Sequence, residues 1–269
     1  MSTDKELAYR YDLFIASDWR ERFDTLLDEK IEFPAEGRVL EVNSGTGGHA
    51  IEMAERMKEK GNLIGTDPFP ERLEIARAKA QVKKVTDVEF KEADAASLPF
   101  SDDEFDAVVG DTSMMSADEM EKALEEMLRV ARPGARVVLM ASTFGSFDEF
   151  FSIYWEVLQK AGLVEEVWTK LENLIKERGT VSEVESMARR LGLREVESFT
   201  SKEEFLYETG ESFITDPMIE DAFLGKWLSI VPAERRREVS DSIASLIDAE
   251  RHDAPFDISI KAALIAGVK

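Results

Sequence analysis

The sequence predicts a doubly wound, mostly parallel α/β sheet. Three observations predict it. Short apolar runs of β type alternate with helix-patterned segments from residue 38 to 141, a glycine-rich turn joins the first run to its helix, and the chain finishes on one more long β-type segment. Strands separated by helices at this spacing pair in parallel, and the right-handed crossover rule puts helices on both faces of the sheet.

The elements follow in order. Residues 5–30 carry apolar and aromatic side chains at helical spacing, from Leu7, Tyr11, Phe14 and Ile15 to Phe23, Leu26 and Leu27, which predicts one or two leading helices. Arg38 to Val42 is the first strand, and it runs into Asn43-Ser44-Gly45-Thr46-Gly47-Gly48. A helix with Ala50, Ile51, Met53, Ala54 and Met57 on one side follows and stops at Gly61. Asn62 to Thr66 is a second strand, and Pro70 to Ala80 a helix with proline in its first turn. Val88 to Phe90 and Phe105 to Val109 are the third and fourth strands. The helix from Ala117 to Val130 ends at Arg132-Pro133-Gly134, and Arg136 to Ala141 is the fifth strand. Beyond residue 142 the rhythm changes. Two aromatic-rich stretches, about 147–178 and 212–251, are helical by pattern, with a helix (Val181 to Leu191) and a strand-like run (Arg194 to Tyr207) between them. Phe256 to Ile265 closes the chain. With no repeat or flexible linker, residues 1–269 read as one domain carrying helical insertions.

Composition narrows the function. The formal charge of −22 repels phosphate backbones and anionic headgroups, which argues against a nucleic-acid partner. The absence of cysteine excludes disulfides, thiolate metal sites and a cysteine nucleophile. With only two histidines, His49 and His252, an imidazole-built metal site is not expected, and no metal is assigned. His252 reads as a surface residue. The N-terminus lacks a signal-peptide pattern and no apolar run is long enough to span a membrane, so the expected location is cytoplasmic.

A glycine-rich turn between strand and helix brings backbone N–H groups and a helix N-terminus against a ligand. Gly45-Thr46-Gly47-Gly48-His49-Ala50 fits G-x-G-x-x-G/A, and Asp67 ends the second strand roughly 20 residues on, where a carboxylate grips ribose hydroxyls. By itself this pattern suits NAD, FAD or S-adenosylmethionine (SAM). Glu41, at the end of the first strand, discriminates: its charge repels a pyrophosphate and attracts the ammonium and sulfonium of SAM. Asp94-Ala95 after the third strand can meet an adenine amino group. Next come Leu98-Pro99-Phe100, Asp103 to Val109 and Leu128 to Ala135.

With these motifs in order, Val39 to Ala141 resembles the core of class I SAM-dependent methyltransferases, in particular the type-11 group that includes quinone-biosynthesis enzymes. The resemblance covers a little over a third of the chain. It implies a seven-stranded Rossmann-like sheet whose last strand is antiparallel, matching the terminal run Phe256 to Ile265. It also implies roles. Glu41, Gly45 and Gly47 would line the methionine end of SAM, and Asp67 would take the ribose. Pro68 and Arg72 would flank the adenine, with Asp94 and Ala95 at its edge, and Gly110 and Asp111 would sit beside the sulfonium and acceptor. Asn43 stands where the family usually has its first glycine, and asparagine tolerates positive φ best among the other residues.

Methyl transfer from a sulfonium needs alignment and exclusion of water more than a base. Only His49 and Asp111 are near enough to be weak base candidates. For the acceptor, the resemblance implies a helical lid from the two insertions, with Met115, Phe144, Phe151, Tyr154, Trp155, Phe223 and Trp227 around an apolar or aromatic small molecule. Core packing is the alternative for each of these aromatics, and for Tyr9, Tyr11 and Trp19 helix packing is as good a reading as closure of the cofactor side. The expected function is methyl transfer to such a molecule; the alternative is a non-catalytic SAM-binding or scaffold protein. The oligomeric state stays open.

Overall fold

The computed structural model describes residues 3–57, 61–250 and 254–269; His252 lies outside the described residues. The chain forms two units. One comprises Met1–Ser142, Gly179–Ser201 and Ala262–Lys269, and the other Thr143–Arg178 and Lys202–Lys261.

In the first unit, β1 (Gly37–Val42), β2 (Gly61–Asp67), β3 (Val88–Glu92), β4 (Phe105–Asp111) and β5 (Ala131–Ser142) pair in parallel. β6 (Arg194–Tyr207) and β7 (Phe256–Val268) complete a seven-stranded sheet of order β3-β2-β1-β4-β5-β7-β6. β7 pairs antiparallel to β5, from Arg136 opposite Val268 to Ser142 opposite Ala262, as the resemblance implied. The order reverses between β1 and β4. There the two crossover connections leave in opposite directions and open a crevice at the carboxyl ends of the strands.

Local chemistry accounts for the helices. α4 (Pro70–Lys83) starts on proline, and α5 (Ala117–Val130) starts from a capping box in which Ser116 and Glu119 satisfy each other's backbone N–H groups. α5 buries Met120, Leu124, Met127 and Leu128 in a core with Leu40, Val108, Leu139 and Ile265; each such side chain is worth about 1.5–3 kcal/mol on burial. α3 (Gly48–Arg56) and α8 (Val181–Arg190) complete this set. β5 begins earlier than the Pro133-Gly134 turn suggested, because Ala131 already pairs with Phe105 before an irregularity resets the register at Ala107 and Arg136. The leading segment is α1 (Asp4–Arg10), a π-helical stretch (Tyr11–Arg20) and α2 (Glu21–Lys30). The π winding was not legible from the spacing of apolar residues.

The second unit contains α6 (Asp148–Lys160), α7 (Val164–Ile175), α9 (Gly210–Ile214), α10 (Gly225–Leu228) and α11 (Arg236–Glu250). Its interior is aromatic. Trp227 stacks on Phe150 with ring centroids 4.0 Å apart and on Phe223 at 5.4 Å. Tyr154 donates its hydroxyl to the Trp227 carbonyl at 2.8 Å. Among the described residues no helix is long and apolar enough to cross a membrane.

Candidate functional site

The ends of β1, β2 and β4 deliver the site. Glu41 ends up fully buried at the tip of β1, and Asp67 is 2 % exposed at the tip of β2. Between them runs the glycine turn. Asn43 takes φ 59°, Gly45 57° and Gly47 74°, so asparagine holds the left-handed position without a glycine. Its Nδ2 donates to the Asp111 carbonyl at 2.7 Å, tying β1 to β4. Gly45 N donates to Asp67 Oδ2 and Phe69 N to Asp67 Oδ1, each at 3.0 Å. Burial pushes the Asp67 carboxyl up from the usual range, against Arg72 and these two N–H groups.

A buried ionic cluster surrounds Glu41. Arg20, from the π-helical segment, donates Nη2 to Glu41 Oε1, Nη1 to the Asn43 carbonyl at 2.6 Å and Nε to Asp24 Oδ1 at 2.8 Å. Its Nη1 also lies 3.3 Å from Asp111 Oδ2. His49 Nδ1 meets Glu41 Oε1 at 3.1 Å and Nε2 meets Asp28 Oδ1 at 3.3 Å. Burial pushes Glu41 up, but Arg20 and His49 outweigh it and hold the carboxyl below its usual range. Burial likewise pushes the His49 imidazole down, yet its hydrogen bonds to Asp28 and Glu41 prevail and lift it to about 10. Both ring nitrogens of His49 are engaged by carboxylates, which leaves a protonated ring no lone pair to offer a substrate. Asp24, Glu41 and His49 offer ligand atoms within 4.8 Å of one another. Arg20 and the imidazolium already neutralise that group, which disfavours a metal ion there.

The other expected residues divide. Arg72 lies over the Tyr11 ring at 3.8 Å and the Phe69 ring at 4.2 Å, with Nη1 3.9 Å from Asp67 Oδ2. Asp94 is exposed and caps its own turn by accepting from Ala96 N at 2.9 Å, whereas Ala95 is buried and Pro68 exposed. Asp111 Oδ1 accepts from Ser113 N and Oγ at 2.9 and 2.6 Å. Met115 Sδ is 3.9 Å from Asn43 Nδ2. A Cβ on Gly47 would lie 2.7 Å from Ala76 Cβ and Phe90, and one on Gly110 2.6 Å from Met127 Sδ, so both positions are too close-packed for a side chain. Of the acceptor candidates, Phe151, Tyr154, Phe223 and Trp227 are buried in the second unit's aromatic interior. Trp155 packs edge-on to Trp168 at 5.3 Å, and Phe144 is exposed.

Sequence reasoning missed Arg20, Asp24 and Asp28. The signal for Arg20 was electrostatic: a carboxylate buried at the end of a central strand needs a cation. Arg20 was available beside the buried Trp19 and Phe23, at the end of the π-helical stretch. Nothing local marks which cation answers.

Two features test the fit of SAM. Among the described residues, buried Glu41 Oε2 and Ser44 Oγ have no hydrogen-bond partner. A spare carboxylate oxygen suits an ammonium donor, while the space beside Gly45 holds the Tyr11 ring. Residues 35–205, well over half the chain, match the methyltransferase-domain family. A demethylmenaquinone methyltransferase of Deinococcus radiodurans is 38% identical over 129 residues, spanning 46% of this chain and 53% of that protein. One of Thermus thermophilus is 37% identical over 161 residues, spanning 56% and 70% respectively. In fold, the chain is similar to the YcgJ protein of Bacillus subtilis, with a TM-score of 0.62 at 24% identity, covering 93% of this chain and 98% of that one. It is also similar to phosphoethanolamine N-methyltransferase 2 of Haemonchus contortus, solved with S-adenosyl-L-methionine, with a TM-score of 0.55 at 16% identity, covering 93% and 52%. Family match, sheet order and acid-flanked glycine turn agree: the chain belongs to the methyltransferase-domain family, in its class I, SAM-dependent, quinone-biosynthesis-like group.

Proposed function

We propose that this protein transfers the methyl group of SAM to a small, largely apolar or aromatic acceptor. One observation carries the reading: two buried carboxylates, Glu41 and Asp67, stand at the tips of adjacent strands on either side of a glycine turn at the sheet's switch point. When bound, SAM supplies a methyl group on a sulfonium that is already an activated leaving group. The chain's residues do the rest by holding geometry. Glu41 offers its carboxylate to the cationic amino-acid end, Gly45 and Gly47 line that end, and Asp67 takes the ribose hydroxyls. Pro68, Arg72, Asp94 and Ala95 serve the adenine, and Gly110 and Asp111 the reacting end. Alignment and exclusion of water together remove about 7–11 kcal/mol from a displacement of this kind. Where the acceptor must lose a proton, Asp111 is the candidate base.

The acceptor class draws on two supports. Curated relatives are named demethylmenaquinone methyltransferases, which makes a quinol-type ring the first acceptor to test. The helical insertions are proposed to select the acceptor, with Phe144, Phe151, Tyr154, Trp155, Phe223 and Trp227 contributing directly or through packing; Met115 adds soft surface beside Asn43. Calorimetry tests the cofactor: SAM binds, NAD does not, and Asp67→Ala abolishes binding. Transfer of labelled methyl to demethylated naphthoquinols, compared with polar amines, tests the acceptor. NAD binding without SAM binding sinks the proposal.

A further inference from the structure

Residues Tyr11–Arg20 lie across the same cleft ends that the cofactor would use. The Arg20 guanidinium already satisfies Glu41 Oε1, the Asn43 carbonyl and Asp111 Oδ2, three acceptors at the tips of β1 and β4. Tyr11 covers the glycine turn, since a Cβ on Gly45 would lie 2.6 Å from the Tyr11 hydroxyl. Its ring is held under Arg72 at 3.8 Å, and it is 7 % exposed. The backbone approach that Gly45 permits is thus taken by Tyr11, and both anchoring acids are shut off from water.

From this we propose that Tyr11–Arg20 is a gate on the cofactor cleft: Arg20 acts as a resident cation that SAM replaces on Glu41, and Tyr11 withdraws from Gly45 in the same movement. The proposal rests on the SAM site described above. Electrostatics favours exchange over simple departure. A buried carboxylate stripped of a guanidinium is costly, whereas a ligand whose ammonium and sulfonium outweigh its carboxylate refills the cluster with net positive charge as Arg20 leaves. The segment is suited to moving. Its ten residues are π-wound, a form that is uncommon beyond a single turn and frequent at functional sites. An α register differs from it by one residue per hydrogen bond, so rewinding turns the face bearing Arg20 relative to Tyr11. Its other ties are polar contacts that can be remade, Trp19 Nε1 to Ser113 Oγ at 2.8 Å, Thr46 Oγ1 to Asp12 Oδ1 at 2.5 Å and the ion pair of Asp12 with Lys79, together with the packing of buried Ile15 and Trp19.

The chain has no cysteine, so a bridge can be placed selectively. In Asp12→Cys/Lys79→Cys, a short bis-methanethiosulfonate linker pins the segment to α4, and dithiothreitol releases it. SAM and S-adenosylhomocysteine are titrated by calorimetry into wild type, the bridged chain and the reduced chain. Wild-type binding checks the cofactor site independently of the gate. The gate predicts at least ten-fold weaker binding in the bridged chain, recovered on reduction; equal affinities in the two states overturn it. Should the reduced variant fail to bind, hydrogen exchange on wild type decides. Amides of Tyr11–Arg20 change their exchange rate several-fold on saturation with SAM if the gate moves, and unchanged rates overturn the proposal.

Discussion

At the residue scale, the buried cations and acids at the tip of β1 set the pH behaviour. His49 titrates near 10 in the folded chain against 6.5 for an ordinary imidazole. A raised value means that its contribution is complete below about pH 6.5 and is lost as pH climbs through about 10. His49→Gln should therefore be less stable than wild type by on the order of 2 kcal/mol near pH 6, with the gap closing toward pH 10. Urea unfolding across that window measures it, and a gap independent of pH would mean a neutral ring. Asn43 yields a second prediction. Glycine accepts φ 59° but forfeits the Nδ2 bond to the Asp111 carbonyl. Asn43→Gly should cost about 1 kcal/mol in stability and leave SAM affinity no tighter, which melting curves and calorimetry check. A tighter complex would restore the view that asparagine is a handicap at this turn.

At the scale of elements, type and order were legible in the sequence, and winding and packing were not. Ala117–Val130 and Arg194–Tyr207 coincide with their expected bounds because a capping box and a sustained period announce them. Tyr11–Arg20 read as an ordinary helix, since four-residue spacing of Tyr11, Ile15 and Trp19 suits α and π winding alike. Glycines show the same divide. Gly210 faces α11 so closely that a Cβ would lie 2.0 Å from the Ala244 carbonyl oxygen, while Gly225 in α10 has nothing within 4 Å. Gly210→Ala should destabilise by about 3 kcal/mol or more through overpacking against backbone, and Gly225→Ala should stabilise by about 0.4–1 kcal/mol. Thermal melts of the two variants separate the effects, and similar melting temperatures would contradict the α9–α11 packing.

On the scale of the whole molecule, a charge of −22 makes self-repulsion a general destabilising force. Added salt shortens the Debye length to about 10 Å at 0.1 M, so the melting temperature should rise as sodium chloride goes from roughly 0.01 to 0.3 M. A fall would mean that surface ion pairs such as Arg190 with Glu121 outweigh the net repulsion. By itself, the sequence determined the alternation of strands and helices, the glycine turn, and the acids at the ends of the first two strands, because periodicity, turn chemistry and charge sign are local properties. Only the tertiary structure decided that Arg20, 21 residues before Glu41, is the cation that answers it. It alone also decided that His49 sits between Asp28 and Glu41, and that the aromatics around Trp227 pack on one another. Burial is a property of the folded chain. A charge shut away from water must find its partner in space, wherever the chain carries one.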